Sequence, residues 1–113
     1  GYVMNPIREA IYTIQTRGKL NVFSAHQTVE TIQELNKEIA EIGEFLTQYS
    51  PAVHIPQEFL ETRAERMKEL RREVHYYEAL LYATYRDEPG TFYKYFHEAH
   101  GDESKTLIYI SAW

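Results

Sequence analysis

No cysteine occurs in the 113 residues. That excludes a disulfide framework, a thiolate nucleophile and a cysteine-built zinc site, so stability has to come from buried side chains alone. Long apolar runs are also missing: none approaches the roughly 18 residues needed to cross a bilayer. The start, Gly1 to Ile7, has neither the basic region nor the apolar stretch of a signal peptide. No membrane partner is expected, and the expected setting is soluble and intracellular. Five glycines and four prolines are too few for a fibrous or disordered chain. Positive charge is scarce as well. Twelve Lys and Arg stand against 17 Asp and Glu, a formal charge of -5, which works against wrapping a polyanion, because such affinity rests on many cation–phosphate contacts.

The chain has instead an ordinary apolar fraction of 43% and ten tyrosines against one tryptophan. Tyrosine joins a large apolar ring to a polar tip and suits both core edges and protein interfaces. The length fits one domain with one core. Residues 1–113 therefore read as a single helical domain, and the stop at Trp113, straight after an apolar run, is what a piece of a longer protein would show.

Asn5 is a good N-cap, Pro6 suits the first helical position, and Ile7, Ala10, Ile11 and Ile14 recur at helical spacing until Gly18. A first helix is expected over residues 6–17. Lys19 to Phe23 alternates loosely and reads as extended. Ser24 followed by Gln27 has the spacing of a capping box and marks the start of a second helix. From there Ile32, Leu35, Ile39, Ile42, Leu46 and Tyr49 step by 3, 4, 3, 4 and 3, a coiled-coil-like seam. Ser50 and Pro51 stop it. A third helix is expected from Pro56 to Arg86, with the matching seam Leu60, Met67, Leu70, Val74, Tyr77 and Leu81 and with Arg63 where an apolar residue belongs. Two such helices on a short link pack as an antiparallel hairpin.

The second half of that third helix, Tyr76, Tyr77, Ala79, Leu80, Leu81, Tyr82, Ala83 and Tyr85, leaves almost no polar face and must be covered on more than one side. Glu88, Pro89 and Gly90 read as a turn, Thr91 as a cap, and Phe92, Tyr93, Tyr95, Phe96 and Ala99 as a short fourth helix ending at Gly101. The expected fold class is mainly all-α: an antiparallel hairpin of two long helices, completed by two short helices into a four-helix arrangement. Thr106 to Ile110 has the composition of a short C-terminal β-strand, which would need a partner strand in this chain or in a second copy.

Three groups of side chains carry functional readings. Tyr76, Leu81, Tyr82, Tyr85, Tyr93, Tyr109 and Trp113 make a surface rich in hot-spot residue types, with Leu81 and Tyr85 as the leading contacts. Arg63, Arg66, Arg71 and Arg72 are the basic cluster that a nucleic-acid-associated factor would use, although glutamates interleave them. His75, His97 and His100 are the candidate metal ligands, with Glu78 near enough in sequence to join them. The spacing of His97 and His100 is not that of a His-Glu-x-x-His zinc motif. Glu61, Glu65, Glu69 and Glu73, relieved by Lys68 and Arg72, read as a solvated charged face.

From Ile55 to Val74, with Pro56, Phe59, Arg63, Arg66 and Leu70, the chain resembles the last helix of BAG co-chaperone domains. The aromatic fourth helix and the terminal strand depart from that family, and no residue role is carried over. The reading that follows is a protein-interaction or assembly module without catalysis or cofactor, its partner another copy of itself. A nucleic-acid-associated factor and a histidine-based metal-binding protein are the alternatives.

Overall fold

A computed structural model describes residues 5–48 and 55–101. Among them all regular structure is helical, in the order α1 (Pro6–Arg17), α2 (Val22–Thr47), α3 (Gln57–Thr84) and α4 (Pro89–His100). Tyr49 and the Ser50–Pro51 stop lie outside the described residues, as does the C-terminal strand expected at Thr106 to Ile110.

α1 forms as its caps dictate. The Asn5 side chain accepts a hydrogen bond from the Ile7 amide at 2.9 Å, and Gly18 takes the positive φ of 93° that ends the helix, its N–H donating to the Ile14 carbonyl. The next segment differs from expectation. Residues 19–23 are not a strand: α2 begins at Val22, because Asn21 rather than Ser24 is the N-cap. The Asn21 side chain accepts from the Ser24 amide at 2.8 Å, which places Ser24 inside the first turn and draws Val22 and Phe23 into the helix.

α3 opens after Pro56 and ends two residues short of the expected Arg86, with Tyr85 at its C-terminal cap position. α4 opens at Pro89, whose fixed φ and missing N–H suit a first helical turn. The expected turn at Glu88, Pro89 and Gly90 is thus mostly helix, and Thr91 is not the cap. Gly101, at a left-handed φ of 66°, closes α4.

α2 and α3 form the antiparallel hairpin. Its seam buries Ile32, Ile42, Leu70, Val74 and Leu81 and leaves Leu35, Ile39, Leu46, Leu60, Met67 and Tyr77 half-buried. α3 packs closely on α2 at Gly43, where an added Cβ would stand 3.2 Å from Met67 Cε.

The short helices cover only one end of this hairpin. α4 brings Phe92, Tyr95, Phe96 and Ala99 against Ala25, Val29 and Ile32 of α2 and Val74 and Leu81 of α3. α1 lays Ala10 on Ala79 and Leu80 of α3, and the Leu20 amide donates to Thr84 Oγ1 at 3.2 Å, tying the α1–α2 link to the end of α3. α3 is therefore the spine that the other three helices share. Among the described residues, beyond Leu70 toward the start of α3 and beyond Asn36 toward the end of α2, the hairpin continues as two helices. That accounts for extents of 53 × 34 × 26 Å. No helix among the described residues is long and apolar enough to cross a membrane.

Candidate functional site

The tyrosine flank is largely consumed inside the chain. Leu81, a leading contact from the sequence, is 0% exposed; it is core, and offers no surface to a partner. Tyr82 stands edge-on to Phe92 at 5.1 Å between ring centroids, and Tyr85 lies tilted on Tyr95 at 5.3 Å. Burial, and then the neighbouring Tyr95 hydroxyl, push the Tyr85 phenol above its ordinary value of 10.0. The Tyr76 hydroxyl meets Thr13 Oγ1 of α1 at 3.2 Å. Among the described members of the group Tyr93 is the most open, 39% exposed. The apolar second half of α3 did need covering on more than one side, and α1 and α4 supply that cover. Tyr109 and Trp113 lie outside the described residues.

The arginines do not share one face. Arg66 Nε sits 3.2 Å from Glu38 Oε1 across the hairpin, and its Nη1 is 3.6 Å from Glu69. The hydrogen bond and charge of Glu38, followed by Glu69, hold the guanidinium above its usual range. Arg63 places its guanidinium carbon 5.5 Å from the centre of the Phe59 ring. From the seam position where an apolar residue was missing, Arg63 thus lays its guanidinium over the aromatic ring. Arg72 lines a separate groove with Glu9, Glu69, Glu73 and Tyr76 beside α1. A nucleic-acid surface built from Arg63, Arg66, Arg71 and Arg72 would have to span these differently facing positions.

The histidines separate in the same way. His100 is enclosed, its side chain 4% exposed, with Nε2 2.8 Å from Oε2 of the buried Glu78. Nε2 makes no aligned hydrogen bond there, so the contact is a close approach of ring and carboxyl group. Its other nitrogen, Nδ1, is 2.8 Å from Asn36 Nδ2. The Asn36 amide nitrogen can only donate, so Nδ1 is the acceptor in that contact. His75, 54% exposed, reaches the opposite oxygen of Glu78 from solvent at 3.3 Å. His97 points outward on α4. Glu78 thus lies between two imidazoles that use different oxygens, and among the described residues no three His, Cys, Asp or Glu side chains are arranged to hold a metal ion. A buried Glu78 had one signal in the sequence: it is the only acid in the run from Tyr76 to Tyr85.

The two-helix end is open as well. Phe45 and Phe59 meet edge to face across the hairpin at 5.7 Å, yet are 38% and 44% exposed. They border a cleft of about 470 Å³ floored by Ile42 and rimmed by Glu34, Lys37, Glu38 and Glu41 of α2 and by Arg63 of α3. Apolar floor, aromatic wall and charged rim form the arrangement of a docking groove for side chains of another helix. Neither phenylalanine stood out as a contact in the sequence, because one aromatic at the edge of a helical seam has the same spacing as a core residue. Val22, Phe23 and Tyr12, 64%, 70% and 61% exposed, stand open near the other end of the molecule.

Comparison with known protein families, with curated proteins and with solved structures gives no match. The likeness to BAG domains accordingly stays with the one stretch that carries it.

Proposed function

We propose that this chain is a helical protein-interaction and assembly module that acts by binding rather than by catalysis, and that it associates with another copy of itself. The observation that carries the reading is the Phe45–Phe59 pair: two rings held together by the fold, more than a third open to solvent, beside a charge-rimmed cleft at the end of the hairpin that α1 and α4 do not cover. Exposed aromatic area gains about 25 cal/mol per Å² when a partner covers it, before the costs of association are subtracted. The tyrosine flank contributes mainly by holding the four-helix end rigid, with Tyr93 as its open edge. Light scattering on the whole chain over a micromolar concentration series, together with capture experiments, tests the reading. A rising mass with concentration is expected. A strict monomer that also retains no protein partner would end it.

A further inference from the structure

The open end of the hairpin carries opposite charges on its two helices at matched heights. Glu38 is level with Arg66 and Phe45 with Phe59, so in an antiparallel pair Glu41 is level with Arg63, between those two rungs. Both line the cleft. The α2 rim is predominantly acidic, with Glu34, Glu38 and Glu41 beside Lys37, and the α3 rim presents Arg63.

We infer that this face is where two copies meet, and that they meet about a two-fold axis running parallel to α2 and α3. The inference rests on the self-association proposed above and names its surface and geometry. A face can be laid on itself about either of two in-plane axes. An axis perpendicular to the helices sets α2 against α2 of the second copy, glutamate rim on glutamate rim. An axis parallel to them sets α2 of one copy across from α3 of the other, antiparallel and at the same height. Glu41 then faces the partner's Arg63, and the four rings of Phe45 and Phe59 close over the Ile42 floors. Charge selects the second axis, because like charges brought together in a partly desolvated contact are repelled while unlike charges are not. The same charges explain why a second copy is the occupant: the face carries its own complement, with acid on one helix and base on the other, which an isologous pair requires. The result is a four-helix bundle at the thin end of the molecule.

The size of the face sets the strength. From Glu34 to Phe45 is roughly 17 Å at 1.5 Å per residue, and two helices side by side are roughly 20 Å wide. Such a contact is at the lower end of specific interfaces, so dissociation in the micromolar range or weaker is expected.

Sedimentation of the whole chain, followed to about 0.1 mM, reads the outcome. The unmodified chain should reach a dimer and nothing larger, since a two-fold pair uses each face once. F59E should weaken it by more than about tenfold, as burying an unpaired charge at a desolvated aromatic site does. Glu41→Arg and Arg63→Glu should each weaken the homodimer, while an equimolar mixture of those two variants should restore the pair, because both cross-contacts become Arg facing Glu again. Restoration cannot come from unfolded chains, so it separates a docking effect from a folding defect. A dimer untouched by all three substitutions, a mixture that stays monomeric, or growth beyond dimers overturns this surface while self-association stands. An unmodified chain that stays monomeric at the highest concentration overturns the surface and the self-association together.

Discussion

Asn36, Glu78 and His100 run as a polar thread through the packed end, one side chain from each of α2, α3 and α4. A carboxylate 2% exposed survives folding only if charge-complementary or hydrogen-bonding groups replace its water, and removing such a partner leaves the full desolvation cost behind. His100→Ala should therefore lower stability by about 3 kcal/mol in urea titration. Loss of the solvent-facing His75 should cost no more than about 1 kcal/mol, the scale of an exposed ion pair. Equal effects from the two would mean that Glu78 is not held as described. Tyr85 gives a pH-dependent case. Its phenol is raised above 10.0 first by burial, which disfavours the charged form, and then by the neighbouring Tyr95. A raised value means that this contribution to stability is at full strength below the ordinary value and is lost as pH climbs through the raised one. The stability difference between the natural chain and Tyr85→Phe should accordingly be flat below pH 10 and shift against the natural chain above it, as measured by chemical denaturation at a series of pH values.

At the scale of elements, the hairpin was legible because the 3-and-4 spacing of Ile32 to Leu46 and of Leu60 to Leu81 has only one helical explanation. Where α2 begins was not. Asn21 and Ser24 are both good caps, and the choice falls to a long-range contact: the Leu20 amide is held by Thr84 Oγ1, so the chain is already anchored where Asn21 can start the turn. Gly43 shows the same dependence on a neighbour. A glycine inside a helix costs up to about 1 kcal/mol relative to alanine, and the space for a methyl is limited by Met67 Cε at 3.2 Å. That methyl ends a flexible side chain and can move aside by a few tenths of an ångström. Gly43→Ala should stabilise the chain by a few tenths of a kcal/mol and so raise its melting temperature slightly; a fall would show that Met67 is locked and that the hairpin is packed more rigidly there.

For the molecule as a whole, the four-helix arrangement followed from apolar faces that needed cover, but which residues that cover left exposed did not. The tyrosines of α3 looked like a contact because their stretch has no polar side. In three dimensions α4 claims Leu81, Tyr82 and Tyr85, while Phe45 and Phe59, beside the seam rather than in it, stay open because no third helix among the described residues lies over them. The histidines were similarly unreadable, since His97 and His100 are neighbours in sequence but only His100 turns inward toward Glu78. This lopsided distribution of cover has a kinetic consequence. Opening free energy should fall along α3 from its doubly covered end to its start, because fewer side chains must separate for each turn to fray. In deuterium-exchange mass spectrometry the amides around Leu70 to Leu81 should be slowest and those around Leu60 to Ala64 fastest within that one continuous helix. The gradient should flatten at protein concentrations where the chain pairs, which makes isotope uptake a local gauge of whether the thin end has found its neighbour.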